Sequence, residues 1–103
     1  MGVYELRVYR LHPGKVPAYL AIMREAMPAR EKYSAPVGYW STEIGPLNTV
    51  VHLWAYRDPN HRAETRQAAL GDPTWRAAVG QVAPLIQVME NKLLIPTSYS
   101  PLH

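Results

Sequence analysis

Hydrophobic and polar residues alternate along residues 3–11, VYELRVYRL, just before the turn residues His12-Pro13-Gly14. Val and Tyr are frequent in strands, and successive side chains of a strand point to opposite faces, so this segment predicts a β-strand with two unlike faces. We expect one face to carry Tyr4, Leu6 and Val8, and the other to carry Glu5, Arg7 and Tyr9.

A helical period replaces this alternation over about residues 15–32. Apolar side chains recur there at steps of three and four residues, which predicts a helix with one buried stripe. Pro17 suits the first turn, where its missing N–H is no loss, whereas Pro28 is expected to bend or end the helix. The stripe consists of Val16, Tyr19, Leu20, Met23, Ala26 and Met27.

Two further strands are predicted over about residues 37–45 and 49–57, joined by the turn Gly45-Pro46-Leu47-Asn48. The stretch between residues 40 and 58, WSTEIGPLNTVVHLWAYRD, belongs to this hairpin. It is rich in aromatic side chains, which makes the hairpin either the wall of a site or a tightly packed structural element.

A helix over about residues 60–70 follows, and Gly71 stops it. Asp72 and Pro73 have the residue types of an N-cap and a first helical position, so a second helical segment begins there. Its apolar residues are expected to point inward, and Pro84 separates it from a last strand over about 85–94.

The order strand, helix, strand, strand, helix, strand predicts an α+β protein with the ferredoxin-like βαββαβ topology. The whole chain, residues 1–103, would form one domain, with a four-stranded antiparallel sheet and the helices on one face of it. This leaves the other face uncovered. We expect that uncovered face to carry Glu5, Arg7, Tyr9, His52, Trp54 and Tyr56.

The register of the second strand is left open by the sequence. This strand adds either Trp40 and Thr42 or Tyr39 and Glu43 to the uncovered face, because a shift of one residue reverses every side chain. So much aromatic surface is expected to be covered. A second copy of the same sheet would cover it and form a homodimeric α+β barrel.

Composition narrows the class of protein. The chain has 103 residues, 48% of them hydrophobic and 18% charged, which is typical of one globular domain. It has no cysteine, so disulfides, thiolate metal sites and thiol nucleophiles are excluded. The net charge of +3 comes from scattered basic residues, so we expect no nucleic-acid partner and no membrane partner. No stretch is typical of a signal peptide or a membrane span, and we expect a cytoplasmic protein.

Several segments resemble the NIPSNAP family in order and spacing: YELRVYRLHPGK, GYWSTEIGPLNTVVHLWAY, DPTW, PLIQVMEN and YSPL. The resemblance covers nearly the whole chain. It implies a ferredoxin-like protomer of the dimeric α+β barrel superfamily. It implies no particular reaction, although related barrels include cofactor-independent monooxygenases, lactone isomerases and haem-handling enzymes.

His52, Glu5 and Arg7 are the candidate catalytic residues. His52 lies within a strand and changes charge near neutral pH, so it is a candidate general base; alternatively it is a hydrogen-bonded interior histidine. Glu5 and Arg7 share one strand face, where they would orient His52, hold an anionic group of a substrate, or form a structural ion pair.

A larger set of residues is predicted to bind a ligand. Trp40, Trp54 and Tyr56 would shape an aromatic wall, although aromatic stripes on strands also form ordinary cores and interfaces. The polar candidates beside them are Thr42, Glu43 and Asn91. No metal site is expected, because no histidine has a partner at ligand spacing, and no cofactor is expected either.

The sequence therefore supports three hypotheses. The first is a homodimeric barrel protein that binds a small apolar or aromatic molecule between sheet and helices. The second is a cofactor-independent monooxygenase-like or isomerase-like enzyme that uses His52. The third is a dimerisation module without catalysis. An RNA-recognition domain would share the strand order, but the third strand, TVVHLWAYR, lacks the interior glycines of that class.

Overall fold

The computed structural model describes residues 2–103 and has the ferredoxin-like topology that the sequence predicts. Its sheet is antiparallel, and across the sheet the strands follow the order second, third, first and fourth along the chain. A 3-10 turn, Ala83–Leu85, precedes the last strand. The elements are β1 Val3–Leu11, α1 Val16–Glu31, β2 Gly38–Ser41, β3 Thr49–Tyr56, α2 Pro59–Leu70, α3 Pro73–Val82 and β4 Ile86–Leu94.

The starts of α2 and α3 follow from side-chain caps. The Asp58 carboxylate accepts a hydrogen bond from the His61 backbone N–H at 2.7 Å. The Asp72 carboxylate accepts from the backbone N–H groups of Thr74 and Trp75 at 3.0 and 3.3 Å. These bonds satisfy donors that have no partner inside a helix, so the N-cap predicted at Asp72 is confirmed.

The helix predicted over about residues 15–32 is confirmed, and Pro28 does not end it. The helix continues through Pro28 to Glu31. A proline inside a helix removes one backbone hydrogen bond, but Ala26, Ala29 and Arg30 are buried on both sides of it. Their packing holds the last turn in place.

The two faces of the sheet are the reverse of the prediction. The side chains alternate as expected, but Glu5, Arg7 and Tyr9 lie under the helices and are buried. We call this side the helix face. Tyr4, Leu6 and Val8 lie on the opposite side, the open face, and are only partly buried. The physical reason is Leu11, which shares the parity of Tyr9 and Arg7 and enters the core with them.

The core lies between the helix face and the helices α1 and α3. Tyr9, Leu11 and Val50 supply the sheet side of this core. The helices supply Tyr19, Met23, Ala26, Ala78 and Val82. The buried stripe of α1 is therefore present, although Leu20, which was predicted to belong to it, is exposed.

The register of β2 decides which of its aromatic residues faces the helices. Tyr39 is the cross-strand partner of His52, and Trp40 is the partner of Val51. Tyr39 therefore lies on the helix face, whereas Trp40 lies on the open face with 53% of its surface exposed. The strand ends at Ser41, earlier than predicted, and the Thr42 N–H still donates a hydrogen bond to the Thr49 carbonyl across the hairpin.

No helix within residues 2–103 combines the length and the apolar character that crossing a lipid bilayer requires.

Candidate functional site

A cavity of about 410 Å³ lies between the helix face and the helices. Its floor includes Arg7, Tyr39, His52 and Trp54, which project from three neighbouring strands. Its volume is within the range of small-molecule sites, roughly 300 to 1,000 Å³. The helices and the β4 side complete the wall with Tyr19, Met23, Arg30, Arg66, Ala69, Leu70, Trp75, Val79, Val82, Ala83, Ile86, Gln87 and Met89, and Tyr9 adds to the floor.

One row of residues crosses all four strands at the floor of the cavity. Tyr39 of β2 pairs with His52 of β3, His52 with Arg7 of β1, and Arg7 with Asn91 of β4. The rings of Tyr39 and His52 are stacked, with centroids 4.3 Å apart and an interplanar angle of 6°. Antiparallel pairing thus brings an aromatic ring, an imidazole, a guanidinium and an amide into one line.

The protonation state of His52 follows from its neighbour Trp54. The indole Nε1–H donates a hydrogen bond to Nδ1 of His52 at 2.7 Å. An indole nitrogen can only donate, so Nδ1 must be unprotonated and the neutral imidazole carries its proton on Nε2. His52 is 4% exposed, and its Nε2–H has no hydrogen-bond partner among residues 2–103.

Burial and positive charge both keep His52 neutral. Desolvation is the larger cause, and the guanidinium of Arg7 adds to it, so the pKa of His52 falls to about 3. Arg66 and Arg30 lower the pKa further. At neutral pH the side chain is therefore a hydrogen-bond donor with a fixed tautomer.

Glu5 lies at the centre of a charged cluster beside the cavity. Its Oε2 accepts hydrogen bonds from Arg7 at 2.8 Å, from Arg62 at 2.5 Å and from Asn91 at 2.9 Å. Burial alone would raise the pKa of this carboxyl, but the bonds from Arg62 and Asn91 and the charge of Arg7 outweigh it and lower the pKa to about 2. Glu5 is therefore an anion that neutralises its neighbours.

Two further arginines line the cavity without a carboxylate partner. Arg30 is 2% exposed and bonds to the Ser34 hydroxyl at 2.9 Å and to the Tyr56 hydroxyl at 3.2 Å. Its guanidinium lies 4.3 Å from the centroid of Trp54. Among residues 2–103, neither Arg30 nor Arg66 forms an ion pair with an acidic side chain.

The aromatic wall includes a pair of hydroxyl groups. The hydroxyls of Tyr19 and Tyr39 are hydrogen-bonded to each other. Burial raises the pKa of both phenols, most strongly that of Tyr39, so both stay protonated. Tyr9 stands edge-on to His52, with centroids 4.8 Å apart. The wall thus offers flat apolar surface with few polar atoms.

The structure brings together some of the residues that the sequence singled out. Arg7, His52 and Trp54 line the cavity. Glu5 and Asn91 lie beside it and bond to each other, so they support Arg7 and do not form the wall.

Four of the predicted residues lie away from the cavity wall. Tyr56 is buried and receives a hydrogen bond from Arg30, so it contributes only indirectly. Trp40 is on the open face, and the Thr42 hydroxyl bonds to the Pro46 carbonyl at 2.7 Å inside the hairpin. Glu43 is exposed in the same loop.

Sequence reasoning missed the arginines of the helices. Arg30 continues the buried stripe of α1 four residues after Ala26, and it is itself buried. Arg66 lies three residues before the buried Ala69 on α2, with Arg62 one turn earlier. An arginine in phase with buried positions of a helix is the signal that was available.

Comparison with known proteins identifies the family. The family model named NIPSNAP matches residues 4–101. A NipSnap homolog 1 protein from Danio rerio is 42% identical over 101 residues, which are 98% of this chain and 36% of that protein. The chain belongs to the NIPSNAP family. A human NipSnap homolog 2 protein is 40% identical over 101 residues, and this chain spans only 35% of its length.

Solved structures agree with this assignment. A NIPSNAP family protein of unknown function from Agrobacterium tumefaciens is 38% identical, with a TM-score of 0.91 over 99% of this chain and 94% of that one. A Nitrosomonas europaea structure named provisionally as an antibiotic biosynthesis monooxygenase has a TM-score of 0.72 at 12% identity, covering 95% of this chain and 91% of that one. That second likeness shows the shared ferredoxin-like fold alone.

Proposed function

We propose that this NIPSNAP chain binds a small molecule with an apolar or aromatic body in the cavity between the helix face and the helices. The observation that carries the proposal is the buried, unpartnered Nε2–H of His52 in the wall of a cavity of about 410 Å³. An unsatisfied buried donor costs about 1 to 3 kcal/mol, and a ligand atom that accepts its hydrogen bond would recover this.

The aromatic wall supports the same proposal. Tyr39 and Trp54 present flat surfaces beside His52, and Trp75 adds a third ring from α3. Aromatic side chains favour stacked or edge-on contacts with other rings. A planar ligand would gain such contacts while its polar atom meets the imidazole.

Catalysis through His52 is the alternative, and the geometry restricts its form. The hydrogen bond from Trp54 places the proton on Nε2, so His52 is already a donor at the atom that a general base would use. An enzyme built on this site would therefore use His52 to stabilise developing negative charge on a substrate oxygen. Arg7 would add its positive charge to that stabilisation, and Glu5 would hold Arg7 in position through their hydrogen bond.

Native mass spectrometry of the purified protein tests the binding proposal directly. We expect a bound small mass that is released when the same sample is denatured. A matched pair of variants ties this mass to the cavity. Ala69→Leu fills the cavity, whereas Ala68→Leu makes the same change at the exposed neighbouring position of α2.

The expected result is loss of the bound mass in Ala69→Leu and its retention in Ala68→Leu. Circular dichroism establishes that both variants are folded. A wild-type protein that carries no small mass would favour the third hypothesis, a dimerisation module. Retention of the mass in Ala69→Leu would move the ligand away from the cavity.

We also propose a homodimer through the open face. This face carries an apolar strip formed by Trp40 of β2 together with Val51 and Leu53 of the neighbouring strand β3. A second copy would bury this strip against itself around a two-fold axis, since the same patch serves both partners. The sequence analysis expected the face that carries Glu5, Arg7 and Tyr9 to dimerise. The helices cover that face in the structure, so the proposed dimer would form through the opposite face of the sheet.

Sedimentation analysis measures the oligomeric state. We expect a mass of twice 11.7 kDa for the wild type and a single 11.7 kDa for Leu53→Lys. Leu20→Lys is the matched control, because Leu20 is an exposed leucine on α1. A monomeric wild type, or an intact dimer in Leu53→Lys, would contradict the proposal.

A further inference from the structure

We propose that the ligand is an anion: a molecule with an aromatic or apolar body and one acidic oxygen group, which accepts hydrogen bonds from Nε2–H of His52 and from the guanidinium of Arg66. This inference rests on the proposed function, since it names the chemical class of molecule that the same cavity takes. A carboxylate is the simplest group that fits.

The charge balance around the cavity points to this class. Arg7, Arg30 and Arg66 line the cavity, and Arg62 lies beside it through its bond to Glu5. Glu5 is the single carboxylate that the structure brings to this cluster among residues 2–103. Because His52 is neutral, four guanidinium groups face one carboxylate. Arg7 and Arg30 are buried, and the other two arginines are partly buried. Solvent therefore screens this excess of positive charge incompletely, and the excess is costly unless an anion compensates for it.

The four arginines differ in how far their own partners satisfy them. Arg7 and Arg62 both bond to Glu5. Arg30 bonds to Ser34 and Tyr56 and lies against the faces of Trp54 and Trp75. Arg66 has no ion pair with an acidic side chain among residues 2–103 and is only partly buried. It is therefore the arginine whose guanidinium is available to a ligand.

The electrostatic state of Arg66 agrees with this role. Burial is the main cause that lowers the pKa of Arg66, and the positive charge of Arg7 adds to it. Both effects mean that the charged guanidinium lies in a site that disfavours it. An anionic group in the cavity would supply the missing partner, and guanidinium bonds to carboxylates are among the strongest in proteins.

His52 selects for an acceptor. Its Nε2–H can only donate, because the Trp54 indole occupies Nδ1. A carboxylate accepts from both Nε2–H and a guanidinium without needing a proton of its own. A ligand amine would meet donors and positive charge on this side of the cavity, so cationic molecules are disfavoured.

A matched pair of probes separates the anion from its body. The acid 2-naphthoate and its neutral analogue 2-naphthamide share the same ring system and nearly the same shape. Calorimetric titration of the full chain measures the Kd of each. Loss of a charge-assisted hydrogen bond typically weakens binding by roughly tenfold or more, so we expect naphthoate to bind at least about tenfold more tightly than naphthamide.

Two variants assign the preference to a residue. Arg66→Gln is expected to weaken naphthoate binding by about tenfold and to leave naphthamide binding nearly unchanged. Arg24→Gln removes an exposed arginine of α1 and is expected to change neither. Circular dichroism of each variant establishes that the comparison is made on folded protein.

The other possible results would contradict the anionic ligand, the role of Arg66 or the proposed function. Equal binding of acid and amide would overturn the anion inference and leave small-molecule binding in place. An acid preference that survives Arg66→Gln would overturn the assignment to Arg66. Absence of binding by both probes would overturn the proposed function for aromatic ligands, and the inference with it.

Discussion

The two faces of the sheet differ in the opposite sense from most half-covered sheets. On β1, the helix face carries Glu5 and Arg7, which are buried, whereas the open face carries Leu6 and Val8, which are only partly buried. An antiparallel sheet covered on one side ordinarily turns its apolar face to the helices and its polar face to water. Here buried charges lie on the helix face beside the apolar core, and an apolar strip lies on the open face.

The stability of the fold does not by itself explain why charged residues are buried on the helix face. Buried charges rarely stabilise a fold more than apolar side chains of the same volume would. We therefore connect the ion pairs of Glu5 with Arg7 and with Arg62 of α2 to the ligand that we propose for the neighbouring cavity. The apolar strip on the open face has the composition of an interface. The two proposed partners, a small molecule and a second copy of the chain, would therefore occupy different faces of the sheet.

The largest expected effect comes from removing the one carboxylate of the helix face. Glu5→Ala leaves the buried Arg7 and the partly buried Arg62 without a counterion, and we expect a loss of about 3 to 5 kcal/mol in the free energy of unfolding, chiefly from Arg7. Glu90→Ala is the control, because Glu90 is exposed on the open face opposite Val8. Urea denaturation measures both, and the control is expected to change by less than about 0.5 kcal/mol.

Similar losses in the two variants would remove the contrast between the faces. Glu5→Gln refines the result, since it keeps the shape and one acceptor oxygen but removes the charge. An intermediate loss in Glu5→Gln would assign the difference between the two substitutions to hydrogen bonding and packing, and the remainder to charge.

The second prediction concerns acid. The pKa of His52 is about 3 in the folded chain against 6.5 for an ordinary histidine. Between these values the unfolded chain binds a proton that the folded chain does not, so stability is complete above pH 6.5 and falls as the pH drops towards 3. Glu5, with a folded pKa of about 2 against 4.5, contributes a loss only below pH 4.5.

The interval from pH 6.5 to 4.5 therefore isolates His52. Two units of pH correspond to at most about 2.7 kcal/mol for one group. We expect the wild type to lose about 2 kcal/mol across this interval in urea titrations, and His52→Gln to lose markedly less over the same range. A parallel decline in the two proteins would show that the acid sensitivity comes from other groups.

The sequence predicted the parts of the fold that are determined by residues close together in the chain. The strand of residues 3–11 and the N-cap at Asp72 are each specified by neighbouring residues, and the structure contains both. The connection predicted at residues 45–48 is longer in the structure, where β2 ends at Ser41 and β3 begins at Thr49. The face that the helices cover is a tertiary property. Leu11 was the relevant clue, because a fully buried leucine shares the parity of Glu5 and Arg7 and draws that face into the core.

The sequence predicted which residues of the cavity wall lie together only where those residues belong to the same strand. His52 and Trp54 are two residues apart on β3, so their meeting in the cavity wall follows from strand geometry. Tyr39 reaches the site through the β2 register, which the sequence left open. Arg66 lies on α2, fourteen residues after His52 in the chain, and only the packing of α2 against the sheet brings it to the cavity.

The smallest expected effect comes from removing one hydroxyl group on β2. Tyr39→Phe removes one hydroxyl of the Tyr19–Tyr39 pair on the helix face and leaves the buried Tyr19 hydroxyl without its partner. We expect a loss of about 1 to 2 kcal/mol in the free energy of unfolding, measured by urea denaturation. Tyr99→Phe removes a hydroxyl from a residue that is 86% exposed, and this control is expected to change by less than about 0.5 kcal/mol.

The same variant also probes the ligand. Tyr39 stacks on His52, and phenylalanine keeps the ring that makes this contact. If the ring alone shapes the cavity wall, Tyr39→Phe should bind 2-naphthoate within about twofold of the wild type despite its lower stability. A loss of roughly tenfold or more would instead mean that the hydroxyl itself contacts the ligand, because a hydrogen bond to a charged group is worth about that much. That result would add Tyr39 to His52 and Arg66 as a polar contact of the proposed ligand.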